Sequence, residues 1–192
     1  MKTNRFFFVL SIIVLLLPSC SNEKKYVEST TTKDTQNDLF LLDANDKNQL
    51  INKLTTAFAD EWTASYQYWI AAKLVQGAKT PNVANELMQH HKDELRHADM
   101  LANRLIELGG DFRMFPKDWD KKAGCHYDSI TDTSVNSILK ENIDGEVCAI
   151  KFYQDLLNMI KEKDKKTYNI ILQILNDEIE HKRDLEKLQK IH

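Results

Sequence analysis

The chain has 192 residues, of which 42% are hydrophobic and 29% charged, and its formal net charge is −3. This length provides one well-filled core and is too short for two typical domains. Because the chain has only five glycines and three prolines, and Ala, Leu, Glu and Lys are common after residue 46, its composition favours long helices over strands. The acidic balance gives no basis for contact with a phosphate backbone, so no nucleic acid is expected as a partner.

The first nineteen residues have the features of an export signal. Lys2 and Arg5 precede an apolar run over residues 6–17 that is too short to span a bilayer comfortably. The run ends in Leu-Pro-Ser-Cys, which resembles the lipobox of bacterial lipoproteins; an ordinary secretory signal with an incidental cysteine is the alternative. We therefore expect residues 1–19 to be removed and Cys20 to carry lipid. The mature protein is then an exported, membrane-anchored lipoprotein on the periplasmic or outer face.

The mature chain is expected to have two parts. Residues 20–45 are rich in Ser, Thr, Lys, Asp and Glu and have no helical period, which predicts a flexible tether. Residues 46–192 are expected to form one helical domain. This domain contains Cys125 and Cys148, and disulfides persist outside the cytoplasm, so these two cysteines can pair.

Apolar residues recur at helical spacing in four segments of the domain. Capping residues and glycines set the expected boundaries, which lie at Asp46, Gly77, Thr80, Gly109, Thr133 and Asp164. Short turns join the first helix to the second and the third to the fourth, so each pair should be antiparallel. About twenty extended residues can cover a helix of roughly 45 Å, so the second and third helices can run parallel. The pattern predicts an all-α four-helix bundle with one long crossover between helices 2 and 3.

Ionisable residues interrupt each apolar stripe near the middle of its helix, where a simple bundle has aliphatic side chains. The first and third helices each carry one glutamate, and the second and fourth each carry a Glu-x-x-His motif about 33 residues later. These six residues are Glu61, Glu94, His97, Glu146, Glu178 and His181. Any one of them would by default belong to a solvated face. Six at one level predict a common buried site.

Four buried carboxylates without compensating charge would destabilise a fold by more than its small net stability. Two divalent metal ions balance four carboxylates, and neutral imidazoles complete the coordination. Glu94 and Glu178 are expected to bridge the metals, with Glu61 and Glu146 as terminal ligands. His97 and His181 would each hold one metal. Mixed oxygen and nitrogen ligation favours iron, with manganese as the alternative.

The two motifs, Glu94-Leu95-Arg96-His97 and Glu178-Ile179-Glu180-His181, together with the two lone glutamates, resemble the ferritin-like di-iron carboxylate superfamily across residues 47–190. A cysteine in the crossover and another two residues after the third-helix glutamate are similar to those of the Dps-like ferritins called thioferritins. The resemblance implies a ferritin-like bundle, two iron ions, peroxide-driven iron oxidation and cysteines close to the metals. It also implies a homo-oligomer, from a dimer up to a twelve-subunit cage.

Two pairs of residues beside the expected ligands are candidate catalytic groups. Cys148 is rotated away from Glu146 on the helix and is a poor ligand, so Cys125 and Cys148 are either a stabilising disulfide or a redox pair. Tyr68 and Tyr153 each lie seven residues after a lone glutamate. We favour core tyrosines bonded to ligand carboxylates over electron donors.

The predicted function is binding and oxidation of ferrous iron with hydrogen peroxide or oxygen, for protection against oxidative stress, with iron storage if a cage forms. One alternative is a rubrerythrin-like peroxidase with an external electron donor, since the chain lacks the paired Cys-x-x-Cys motifs of a rubredoxin module. Another is a metal-binding lipoprotein without turnover. The expected partners are ferrous iron, the oxidant and the membrane.

Overall fold

The computed structural model describes residues 42–77, 80–126 and 129–191, so the predicted signal peptide and Cys20 lie outside the described residues. This part of the chain is all-α, as predicted. It contains α1 (Ala44–Leu74), α2 (Thr80–Leu108), α3 (Trp119–Lys122), α4 (Val135–Ile160) and α5 (Lys165–Ile191). None of the helices in the described ranges is both long and apolar enough to cross a bilayer.

Short polar side chains cap the N-termini of three of the long helices. The Asp43 carboxylate accepts a hydrogen bond from the Asp46 amide at 2.7 Å, so α1 begins at Ala44. The predicted cap at Asp46 is therefore wrong by three residues, because Asp43 is the cap. Ser134 caps α4, and Asp164 accepts from the third residue of α5 at 2.9 Å.

Contacts between the helices confirm the predicted topology of the bundle. α1 packs along α2, and α4 packs along α5. The Gln76 amide after α1 donates to the Thr133 carbonyl before α4 at 2.8 Å. Since α2 also begins at this end of the bundle, α2 and α4 run parallel, and residues 109–134 form the crossover.

Two clusters of buried apolar side chains flank the middle of the bundle. One includes Leu54, Leu101 and Ile171, and the other includes Leu87 and Ile138; all five are fully buried. Burial of each such side chain stabilises the fold by about 1.5–3 kcal/mol. Along each long helix, the segment between the two clusters contains the predicted ligands.

The crossover is held against α1 and α4. A 3-10 turn at Pro116–Asp118 leads into α3, whose Trp119 stacks on Trp62 of α1 with ring centroids 5.0 Å apart. Further along, Cys125 forms a disulfide with Cys148 of α4, with their Cα atoms 5.9 Å apart. These contacts place the crossover beside the middle of the bundle.

Candidate metal centre

All six residues predicted as ligands meet in the middle of the bundle, and each is at most 4% exposed. They form two overlapping groups, and within each group the ligand atoms lie within 4.8 Å of one another. One group consists of Glu61, Glu94, His97 and Glu178, and the other of Glu94, Glu146, Glu178 and His181. The structure therefore brings together two potential metal positions that share two glutamates.

The shared glutamates each direct one oxygen to either side. Glu94 Oε2 lies 3.2 Å from His97 Nδ1, and Glu94 Oε1 lies 3.2 Å from His181 Nδ1. Glu178 repeats this arrangement, with Oε1 3.1 Å from His97 Nδ1 and Oε2 3.2 Å from His181 Nδ1. Carboxylates placed in this way can bridge two cations.

The unshared glutamates are held by tyrosines from the opposite helix pair. The Tyr68 hydroxyl donates to Glu146 Oε1, and the Tyr153 hydroxyl donates to Glu61 Oε1. Both tyrosines are 1% exposed. Burial, and then the negative charges of Glu61 and Glu178, raise the pKa of Tyr153 well above its ordinary value, so this phenol stays protonated. The favoured interpretation, a core tyrosine bonded to a predicted ligand carboxylate, matches this geometry in both halves.

The density of buried charge shifts the pKa values of the cluster. Burial, and then repulsion by Glu178 and Glu94, raise the pKa of the Glu61 carboxyl well above its usual range. Burial alone would lower the pKa of His97, but the close carboxylates of Glu178 and Glu61 outweigh it and raise that pKa. The pKa values of Glu146 and His181 shift upward for causes of the same kinds. Without metal, the cluster therefore retains protons in place of cations.

Unsatisfied polar atoms test whether metal ions fit here. Within the described part of the chain, five buried atoms of the cluster lie close to other ligand atoms but make no hydrogen bond of acceptable geometry: Glu61 Oε2, Glu94 Oε1, Glu146 Oε2, Glu178 Oε1 and His181 Nδ1. Such atoms are costly to bury unless something else binds them. Mixed carboxylate and imidazole ligands suit iron or manganese. The residues thus fit a dinuclear metal centre.

Two aspartates that were not predicted support the histidines from outside. Asp177 Oδ2 lies 3.1 Å from His97 Nε2, and Asp93 Oδ2 lies 3.7 Å from His181 Nε2. Arg96 joins the two carboxylates, at 3.0 Å from Asp93 and 3.1 Å from Asp177. Carboxylates in such positions fix the orientation of a ligating imidazole. The sequence signal was a repeated Asp-Glu-x-x-His, since each aspartate directly precedes a motif glutamate.

The disulfide lies at the edge of the site and outside the ligand cluster. Cys125, together with Glu61 and Glu146, lines a cavity of about 10 Å³ between the carboxylates. The Cys125 amide donates to Asp60 Oδ1 at 2.8 Å, and burial raises the pKa of Asp60 to about 7. The two cysteines are thus paired near the expected metals, and a redox role remains a prediction.

Four long helices around two sites with shared carboxylates define the class of di-metal four-helix bundles. The family model for the ferritin-like domain matches residues 51–191, and the chain belongs to this family. Family membership implies iron binding, and the predicted superfamily is confirmed.

Two relatives place the chain near the Dps-type members of the family, and a third protein shares its fold. The DNA protection during starvation protein of Pyrococcus furiosus is 28% identical over 144 residues, covering 74% of this chain and 78% of that protein. The dodecameric thioferritin of Bacteroides fragilis, a bacterioferritin-related protein, is 38% identical with a TM-score of 0.76, covering 83% and 94% of the two chains. Dps from Thermosynechococcus elongatus, at 19% identity, a TM-score of 0.71 and coverage of 75% and 92%, shows the fold alone.

Proposed function

We propose that the protein binds two ferrous ions at this centre and oxidises them with hydrogen peroxide or oxygen, which limits oxidative damage. The observation that carries the proposal is the pair of shared carboxylates, Glu94 and Glu178, each with one oxygen toward either histidine. Glu61 and His97 complete the ligand set on one side, and Glu146 and His181 on the other.

The chemistry needs one electron from each ferrous ion: with peroxide as oxidant, two electrons and two protons convert it to two waters. The role of the chain is to hold the ligand side chains in position. Tyr68 and Tyr153 fix the unshared glutamates by hydrogen bonds. Asp177 faces His97 Nε2, so that Nδ1 of this ring faces the glutamates. The carboxylates favour the more highly charged product ions, because their negative charge is buried.

Ferrous oxidation and metal content in matched variants test this function. The substitution Glu178→Gln removes a shared carboxylate, whereas Glu180→Gln, two residues along the same helix, changes a side chain that is exposed. The unmodified protein and the Glu180→Gln variant should each hold at least about two iron ions per chain and accelerate ferrous oxidation. The Glu178→Gln variant should lose at least one ion and the acceleration.

The other predicted functions correspond to other results of the same assay. Two bound ions with no acceleration by peroxide or oxygen would contradict the oxidase and favour a metal-binding protein without turnover. Peroxide reduction that needs an added electron donor, with no net ferrous oxidation, would indicate a rubrerythrin-like peroxidase.

We also propose that the protein is exported and anchored through lipid on Cys20, on the strength of the signal and lipobox features of the sequence. Fatty-acid labelling should be present in the full chain and lost in Cys20→Ala. A homo-oligomer is proposed by analogy with the thioferritin relative, which is described as dodecameric. Sedimentation of a soluble chain starting at Ser21 measures this, and a monomer or dimer would contradict iron storage.

A further inference from the structure

A third group of potential ligands lies outside the six residues of the centre. Glu86 and His90 are one turn apart on α2, and Asp184 reaches them from α5. One ligand atom from each of the three lies within 4.8 Å of the others. Two carboxylates and one imidazole form a set that suits a divalent cation.

The state of His90 distinguishes this group from an ordinary acidic surface. The residue is 2% exposed, and its Nδ1 has no hydrogen-bond partner among the residues that the structure describes. Its Nε2 lies 3.5 Å from Glu86 Oε1, which is too long for a good hydrogen bond. A buried imidazole left in this condition is explained if it binds a ligand.

The group lies between solvent and the metal centre. It opens on a cavity of about 280 Å³ whose walls carry five carboxylates, from Glu86, Asp93, Asp177, Glu180 and Asp184. Arg96 is the one lysine or arginine among the lining residues, and Asp184 is also paired with Lys187 at 2.6 Å. A cleft lined mainly by negative charge concentrates cations and raises their rate of arrival.

His90 also contacts the centre directly. Its ring stacks on that of His181, with centroids 4.1 Å apart and an interplanar angle of 24°. His181 itself lines the cavity. A cation held at His90 is thus one side chain away from the ligands of the centre.

We propose that Glu86, His90 and Asp184 form a third divalent-cation site, which takes ferrous iron from the cavity and delivers it to the centre beside His181. The delivery role rests on the proposed function, whereas binding at the third site does not. No redox step takes place at this site, since the ion passes through it unchanged.

Binding of cobalt(II), followed by calorimetry and metal analysis, tests the site with isosteric variants. The double variant Glu86→Gln with Asp184→Asn removes two ligand charges at partly exposed positions, so the fold should persist. Glu180→Gln is the matched control, because it also removes a cavity carboxylate but not a ligand. We expect about three ions per chain in the unmodified protein and the control, and about two in the double variant.

The outcomes separate the two proposals. If the unmodified protein binds two ions and the double variant also binds two, the third site is overturned while the centre stands. One ion per chain that is lost in the double variant and kept in Glu178→Gln would support the third site and contradict the centre.

The delivery role is tested separately, by measuring the rate of ferrous oxidation as a function of ferrous concentration. The double variant should load iron about tenfold more slowly at low ferrous concentration and reach the unmodified rate at saturation. An equal loss at all concentrations, or no loss at any, would overturn the delivery role.

Discussion

Tyr68 on α1 donates its hydroxyl hydrogen bond to Glu146 on α4, across the boundary between the two helix pairs. The Tyr68→Phe substitution should lower the free energy of unfolding of the metal-free protein by about 1.5–3 kcal/mol, because a buried carboxyl loses its donor. Tyr66→Phe is the matched control, since Tyr66 is 57% exposed. Denaturant unfolding of both variants measures the difference, and equal stability of the two would contradict a role for this bond.

The outer aspartates should control metal affinity without being ligands. Asp177→Asn weakens the carboxylate support of His97 Nε2, which lies 3.1 Å from the Asp177 oxygen. We expect metal binding to weaken by about 10–100-fold while the number of sites is unchanged. The exposed Asp99 on α2 provides the control substitution, Asp99→Asn. A titration with cobalt(II) gives both affinity and stoichiometry, and unchanged affinity in Asp177→Asn would exclude this role.

Metal loading should release protons. The pKa values of His97 and His181 are raised by the buried glutamates, and those of Glu61 and Glu146 are raised by burial, so the metal-free cluster holds protons at neutral pH. Metal ions displace these protons, and metal affinity should therefore fall as the pH is lowered. An indicator dye in weak buffer should record acidification during anaerobic ferrous titration. Binding without acidification would show that the cluster is already deprotonated.

The disulfide should stabilise the fold without supplying ligands. It joins residues 23 apart in sequence, and the loop-entropy estimate for that length is about 3 kcal/mol. The double variant Cys125→Ala with Cys148→Ala should lose about this much stability and retain its metal content. Peroxide-driven ferrous oxidation in the same variant tests the redox role: an unchanged rate leaves the disulfide structural, and a slower rate in a fully loaded protein indicates a redox pair.

A buried ion pair joins α2 to α5 away from the metals. Arg104 lies 2.6 Å from Asp164 and 2.7 Å from the Thr167 hydroxyl, and all three are at most 3% exposed. Arg104→Met should destabilise the protein by about 3–5 kcal/mol, because it leaves a buried carboxylate unpaired. Arg113→Met, at a side chain 88% exposed, should change stability by less than about 0.5 kcal/mol. Thermal unfolding of the two variants side by side checks this contrast.

The ligand positions could be predicted because they break an otherwise regular apolar stripe, and the break is visible in the sequence. Glu61 and Glu146 could be recognised as ligands because a Glu-x-x-His motif begins 33 and 32 residues later, respectively. The same spacing therefore occurs in both halves of the domain. The crossover helix α3 was not predicted, because four residues give no helical period. Its position depends on the stacking of Trp119 on Trp62, a tertiary contact.

The outer residues were harder to predict for a different reason. Asp93 and Asp177 read as ordinary solvated carboxylates, and only the fold brings them to the far nitrogens of the histidines. Asp184 and Glu86 are 98 positions apart in sequence and lie on different helices. No local pattern connects them, so their convergence with His90 becomes visible only in three dimensions.

The crossed tyrosine bonds mean that neither helix pair is chemically complete by itself. In each pair the lone glutamate takes its hydrogen bond from the other pair's tyrosine, and each group of ligands draws on both Glu94 and Glu178. A fragment ending before the crossover would keep three of the four ligands of one group and only one of the four of the other. The two hairpins are therefore interdependent in folding, and mixing them as separate fragments should restore metal binding only when both are present.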